Sequence, residues 1–186
     1  MRECACRIKR EGIGALDELY DLTASRLYRY ALTITRHHQD AEDVLQAAMV
    51  RITLHPQGLA DSIHPWAYFL HVVRNEALRI AKKQKIRRSR EQLTGPEILD
   101  REETITPNFQ GTGFSEIREF VQAAMKTLPP EQTEIVVLKI WEELTFAEIS
   151  QILDESPNTI ASRYRYALQK LNRSLEPIIA EALRNE

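Results

Sequence analysis

The chain has 186 residues, of which 43% are hydrophobic and 6 are glycine, so one or two small domains with apolar cores can form. Its net charge of −2 argues against a nucleic-acid binder that is basic throughout, and no apolar run reaches the roughly 20 residues of a membrane span. The N-terminus has no apolar stretch typical of a secretion signal. Few segments alternate with period two, so the sequence predicts an all-α, soluble, cytoplasmic protein.

The charge is segregated along the chain. Residues 1–90 carry 16 basic and 10 acidic side chains, a net charge of +6. Residues 91–127 and residues 128–186 each have a net charge of −4. Only the first half of the chain therefore has the charge that nucleic acid attracts.

No metal or cofactor site is predicted. Cys4 and Cys6 are one residue apart, a poor spacing for a disulfide, and no second ligand pair is present for zinc, so we expect free thiols. His38 and Glu42 are four residues apart, but no Glu-x-x-His motif elsewhere completes a di-metal pattern. We therefore expect His38 and Glu42 to lie on a solvent-exposed helix face and not to bind a metal.

The N-terminal half predicts a loose lead-in followed by two helices. Residues 1–14 are polar, and apolar residues then recur at helical spacing from Ala15 to about Arg36. Asp40 is expected to cap a second helix that ends before Pro56. Its apolar face is Val44, Leu45, Ala48 and Ile52. The opposite face is expected to present Asp40, Asp43 and Gln46 outward, at steps of three.

A third helix is predicted after a loop at residues 56–63. It begins at Pro65 and has an apolar stripe at Trp66, Phe69, Leu70, Val73, Ala77 and Ile80. Seven of the twelve residues 79–90 are Lys or Arg, and this run continues a helix that bears Arg74 and Asn75. Basic side chains beside aromatic residues suit a nucleic-acid backbone with unstacked bases.

The segment 91–113 changes in character. It contains proline, several glycines and acidic residues, which predicts a linker. Ser115 is then expected to cap a helix that ends near Thr127. Leu128-Pro129-Pro130 predicts a sharp stop and restart, with another helix over 131–142.

Residues 145–171 have the pattern of a helix-turn-helix. Thr145 and Glu148 form a predicted capping box, and a turn at Asp154–Glu155 precedes Ser156 and Pro157, which begin a second helix. The predicted inner face of that helix is Ile160, Tyr164, Ala167, Leu168 and Leu171. The predicted outer face is Asn158, Thr159, Ser162, Arg163, Arg165 and Gln169, which suits phosphates and base edges. Helix pairs with short turns also occur in proteins that do not bind DNA.

Pro177 is expected to end or kink this second helix, with a short tail after it.

The role of Arg163 has two interpretations. Its long side chain suits a base or positioning contact with DNA, or it pairs with glutamates of its own domain.

Four motifs, in order, resemble the bacterial RNA polymerase sigma factors of the extracytoplasmic-function (ECF) type, in the sigma-70 family. The first is the Asp-Ala-Glu-Asp-Val-Leu-Gln segment at 40–46, and the second is Arg74-Asn75 with the basic helix behind it. The third is Leu-Pro-Pro-Glu-Gln at 128–132. The fourth is the helix-turn-helix, with Leu-Thr-Phe-Ala-Glu-Ile-Ser at 144–150 and Asn-Thr-Ile-Ala-Ser-Arg at 158–163.

The resemblance implies two helical domains and three contact surfaces. Residues 15–90 would form sigma region 2, residues 91–113 the linker, residues 114–176 region 4, and residues 177–186 a tail. Region 2 would dock on the β′ clamp coiled coil of core RNA polymerase, and region 4 would lie on the β flap. Core polymerase would bind Asp40, Glu42, Asp43 and Gln46. The promoter −10 element would bind His71, Arg74, Asn75, Lys82 and Lys83. The −35 element would bind Ser156, Pro157, Asn158, Thr159, Ser162, Arg163 and Arg165.

Two other functions compete with this interpretation. A helix-turn-helix regulator would bind DNA without docking on polymerase, and core binding separates it from a sigma factor. A helical metal-dependent hydrolase would use His38, Glu42 and Asp43, and metal analysis would test it. The sequence leaves open whether an anti-sigma protein holds the factor inactive.

Overall fold

The computed structural model describes residues 2–11, 14, 16–91 and 115–182. The chain divides into two compact units, Met1–Glu103 and Thr104–Glu186. Every regular element in the described residues is helical, as predicted. The predicted linker lies outside the described residues except for Glu91, which ends a helix. No helix in this part of the chain has the length and apolar character needed to cross a membrane.

The first unit contains five helices among its described residues. They are α1 (Arg2–Glu11), α2 (Leu16–Thr35), α3 (His38–Leu54), α4 (Pro56–Ala60) and α5 (Pro65–Glu91). Helices α2, α3 and α5 pack against one another, and their shared core includes Leu27, Tyr30, Phe69 and Leu70, all fully buried. Helix α5 continues into the basic run, as predicted. The core therefore fixes which faces of α3 and α5 remain at the surface.

Two segments predicted to be irregular are helices. The expected loose lead-in is α1, in which Cys4 and Ile8 lie one turn apart and are both buried. The expected loop is α4, which begins at Pro56 and buries Leu59. Helix α1 packs against α4, and each helix buries its few apolar residues in this contact region. The mostly polar composition of the two segments gave little indication of a buried face. Neither Cys4 nor Cys6 is in a disulfide.

The second unit is built from α6 (Ser115–Lys126), α7 (Pro130–Val136), a π-helical segment (Val137–Trp141), α8 (Phe146–Leu153) and α9 (Pro157–Ala182). The helix expected over 131–142 changes at Val137, where the Glu142 N–H donates to the Val137 carbonyl five residues back. The core of the second unit includes Ile135, Leu138, Ile149 and Ile160, all fully buried. Pro177 does not end α9, which runs to Ala182.

Candidate functional site

The turn between α8 and α9 is held by local hydrogen bonds. The Thr145 hydroxyl accepts from the Glu148 N–H at 3.2 Å, and the Thr145 N–H donates to the Glu148 carboxylate at 2.8 Å, which confirms the capping box. Asp154 ends α8 in the left-handed conformation, with φ of 57°. The Ser156 hydroxyl then accepts from the Thr159 N–H at 3.1 Å. These caps set the angle at which α9 begins.

Thr145→Ala is expected to lower the free energy of unfolding by about 1 kcal/mol, because the Glu148 N–H loses the hydroxyl that accepts its hydrogen bond. Thr145→Ser is the matched control, since it keeps the capping hydroxyl and should cost less. Chemical denaturation of both variants measures the difference. Equal stability of parent and Thr145→Ala would show that the capping box contributes nothing.

The outer face of α9 is exposed from its first turn. Ile160 and Ala167 are fully buried, whereas Asn158 and Thr159 are exposed and Ser162 is half-buried. The prediction is wrong for one residue of the inner face. Leu168 is 39% exposed and lines an open groove with Val136 and Ile140, because it lies at the flank of the helix rather than over the core.

Arg163 is engaged with its own unit. Its Nη1 atom lies 2.6 Å from Glu155 Oε1 and 3.9 Å from Glu131 Oε2, so the guanidinium links α9 to the turn and to the start of α7. The Ser150 hydroxyl donates to the Glu155 carbonyl, which holds the turn in place. The glutamate pairing predicted as one interpretation is therefore present. A contact of Arg163 with DNA stays a prediction.

Arg163→Ala is expected to lower the stability of this unit by about 1 kcal/mol, because the pair is half-buried and its partner Glu155 is left unpaired. A double-mutant cycle with Glu155→Ala measures the pairing, and Arg173→Ala, an exposed arginine on the same helix, is the control. Transcription is measured in parallel. Additive stability changes would contradict the pairing, and lost promoter preference at parental stability would indicate that Arg163 contacts DNA.

The outer face of α3 carries three of the four residues assigned to polymerase. Glu42, Asp43 and Gln46 are exposed. Asp40 is not, because it is 8% exposed and its Oδ1 accepts a hydrogen bond from the Gln84 amide of α5 at 3.0 Å.

The predicted cap of α3 is also wrong. His37, not Asp40, is the N-cap, and its ring accepts from the Asp40 N–H. Asp40 therefore joins α3 to α5 in the interior of the unit.

Beyond Gln46 the outer face of α3 continues with two exposed apolar residues, Val50 and Leu54, to which no function was assigned from the sequence. Their spacing of four from Gln46 and from each other was the available signal.

The residues assigned to the −10 element share the exposed side of α5. Asn75, Lys82 and Lys83 are exposed, and His71 and Arg74 are half-buried. The Asn75 amide nitrogen lies 3.2 Å from His71 Nε2, one turn earlier. These five side chains lie along about three turns of one helix.

A buried carboxylate connects α5 to α3. Glu76, 7% exposed, lies 3.3 Å from Arg51 of α3 and 2.7 Å from Arg79 of α5. A buried acid with two arginine partners is compensated and holds the two helices in register. The position of α3 thereby constrains the position of Asn75, the neighbour of Glu76.

No metal centre is formed among the described residues, where no group of three or more His, Cys, Asp or Glu side chains is placed to hold an ion. His38 stacks on Tyr28, with ring centres 6.1 Å apart, and its Nδ1 atom hydrogen-bonds the Tyr28 hydroxyl. The geometry gives no support to the hydrolase hypothesis.

Comparison with known families matches both units. Residues 19–87 match Sigma-70 region 2, and residues 119–171 match Sigma-70, region 4. The RNA polymerase sigma-E factor of Streptomyces antibioticus is 32% identical over 152 residues, covering 79% of this chain and 78% of the relative. The ECF RNA polymerase sigma factor SigM of Bacillus subtilis is 28% identical over 162 residues, covering 84% and 92%.

Solved structures share the fold. The sigma factor RpoE from Bartonella quintana, in complex with the anti-sigma factor NepR, aligns with a TM-score of 0.67 at 20% identity, covering 86% of this chain and 96% of that one. CnrH, in complex with the cytosolic domain of CnrY, aligns with a TM-score of 0.64 at 16% identity, covering 95% and 97%.

The two matched regions and the helix-turn-helix define a sigma-70-type transcription initiation factor. The chain belongs to the extracytoplasmic-function (ECF) sigma factors of that family. It binds core RNA polymerase and directs it to promoters. The alternative of a helix-turn-helix regulator that acts without polymerase is not favoured.

Proposed function

We propose that this sigma factor uses three exposed helix faces for three contacts. The outer face of α3 docks on the β′ clamp coiled coil through Glu42, Asp43 and Gln46. The exposed side of α5 opens and reads the −10 element, and the start of α9 reads the −35 element while the second unit lies on the β flap. The observation that carries the proposal is the exposure of these faces, each with its opposite side packed in a core.

The remaining assignments follow from the same faces. Residues 15–90 act as region 2, residues 91–113 as the linker and residues 114–176 as region 4, which the family matches at 19–87 and 119–171 support. Residues 177–186 act as a tail, of which the part up to Ala182 continues α9. The −10 contact comprises His71, Arg74, Asn75, Lys82 and Lys83. The −35 contact comprises Ser156, Pro157, Asn158, Thr159, Ser162, Arg163 and Arg165, with Ser156 capping the helix and Arg163 positioning it.

The chemistry of initiation belongs to the polymerase. The chain contributes binding and strand separation, with no catalytic group and no cofactor of its own, and it acts in the cytoplasm, where bacterial core polymerase lies. Lys82 and Lys83 supply phosphate contacts, and polar side chains such as Asn75 can hydrogen-bond unstacked bases.

An anti-sigma protein is a further proposed partner. The sigma factor RpoE, which shares this fold, was solved in complex with the anti-sigma factor NepR. A partner that covers α3 would compete with polymerase for the same face.

Run-off transcription tests the function. Purified chain and core polymerase are incubated with a promoter library, and the transcripts are sequenced. We expect initiation at a defined set of promoters only when both proteins are present. Sequence-specific DNA binding without any effect of core polymerase would instead indicate an independent regulator.

A further inference from the structure

The outer face of α9 carries an aromatic residue that the sequence analysis did not assign to DNA. Tyr166 is 58% exposed, so most of its ring surface is open to a ligand. The guanidinium carbon of Arg165 lies 5.8 Å from the centre of its ring, within the range of a cation–π contact. These two neighbouring side chains therefore form one exposed pair on the surface of α9.

The other cations nearby on α9 are directed back to the protein. Arg163 pairs with Glu155, and the Lys170 ammonium donates to the Thr127 carbonyl at 2.8 Å. No carboxylate among the described residues pairs with Arg165. Arg165 is thus the arginine in the first half of α9 whose guanidinium is available to an incoming ligand.

Helical geometry places this pair beside the polar stripe. Asn158, Ser162, Arg165 and Gln169 follow one another at steps of four, three and four, so they lie on one side of α9. Tyr166 follows Ser162 by four residues and lies at the edge of the same side. The buried Ile160 and Ala167 lie opposite. A DNA groove that receives the stripe also receives the tyrosine ring.

We propose that Tyr166 is a specificity-determining residue of the −35 contact. Its ring packs against the C5 methyl group of a thymine, and it orients the Arg165 guanidinium for a bidentate hydrogen bond to the O6 and N7 atoms of a neighbouring guanine. The major groove presents both groups at its floor, and an exposed aromatic edge suits the methyl. This inference rests on the proposed entry of α9 into the −35 major groove.

The test uses holoenzyme reconstituted from the full chain and core polymerase. A promoter library randomised at the −35 element first yields the preferred sequence. Each thymine of that sequence is then replaced in turn by deoxyuracil, which lacks only the C5 methyl. We expect one replacement to weaken binding of the parent about fourfold, as expected for one buried methyl group. The same replacement should leave the Tyr166→Ala holoenzyme unaffected.

Three variants complete the design. Tyr166→Phe should retain the uracil effect, because the ring remains. Arg165→Ala should lower the preference for the adjacent guanine by about 5- to 150-fold, the range of a bidentate contact. Tyr20→Ala removes a similarly exposed tyrosine, 47% exposed on α2, and should behave as the parent.

The outcomes separate this inference from the proposed function. A selected −35 sequence without thymine, a parent that tolerates uracil at every position, or an equal uracil effect in Tyr166→Ala would overturn the role of Tyr166 alone. If the parent holoenzyme showed no sequence preference at the −35 element, both the role of Tyr166 and the proposed −35 contact of α9 would be overturned. Thermal unfolding of Tyr166→Ala at the parental temperature is expected, because the side chain is largely outside the core.

Discussion

An Asp43→Arg variant is expected to bind core RNA polymerase at least about tenfold more weakly than the parent. Asp43 is exposed on the outer face of α3, between Glu42 and Gln46, so reversing its charge alters the proposed docking surface without disturbing the core. Placing a like charge against a partner selected for the opposite charge costs several kcal/mol, and about 1.4 kcal/mol is tenfold in affinity. A binding titration against core polymerase at fixed salt measures the change.

Two further variants make this result specific to the α3 face. Asp21→Arg introduces the same change at an exposed position of α2 and should leave core binding unchanged. Asp40→Ala should lower stability by about 1 kcal/mol through loss of the bond from Gln84, because Asp40 faces α5 and not the surface. If folded Asp43→Arg protein binds core polymerase as tightly as the parent, the docking face lies elsewhere.

An Asn75→Ala variant is expected to reduce promoter melting about fivefold while core binding stays at the parental level. The amide of Asn75 is exposed on α5 beside His71, where it can hydrogen-bond the edge of an unpaired base. One such bond is worth roughly 1 kcal/mol. Permanganate footprinting of holoenzyme on a promoter measures strand opening through thymine reactivity.

The control for this variant is Asn172→Ala, an exposed asparagine on α9. It should melt the promoter as the parent does. Equal thymine reactivity in Asn75→Ala and the parent would remove Asn75 from the −10 contact. Reduced core binding in Asn75→Ala would mean that the defect arises earlier, at docking.

Polar contacts between α3 and α5 join the proposed docking face to the proposed −10 face in the first unit. Gln84 donates to Asp40, and Arg51 pairs with Glu76. Both contacts join residues far apart in sequence, so they form only when the helices pack. These contacts hold α5 at a defined register on α3, so a polymerase docked on α3, as proposed, would also fix the position of the proposed −10 face.

Local chemistry made the second unit predictable in outline. The Thr145 capping box and the Ser156–Pro157 start depend on residues within three positions of one another, so the sequence alone specifies them. The long apolar stripe of α5 is equally local. The short helices α1 and α4 were missed because each contributes only one or two apolar residues to the core.

What the sequence alone determined is the all-α fold, the caps of the helix-turn-helix and most of the faces presented to solvent, because periodicity and capping act over one or two turns. Tertiary structure decided the fate of individual charged residues. Asp40 lies on the helix side that the pattern predicts to be exposed, yet an amide 44 residues away covers it. Arg163 and Arg165 are equivalent in a sequence pattern, but packing places only Arg163 between Glu155 and Glu131. The packing of α7, the turn and α9 brings both carboxylates to Arg163, whereas no carboxylate among the described residues pairs with Arg165. Helical periodicity alone does not distinguish the two arginines.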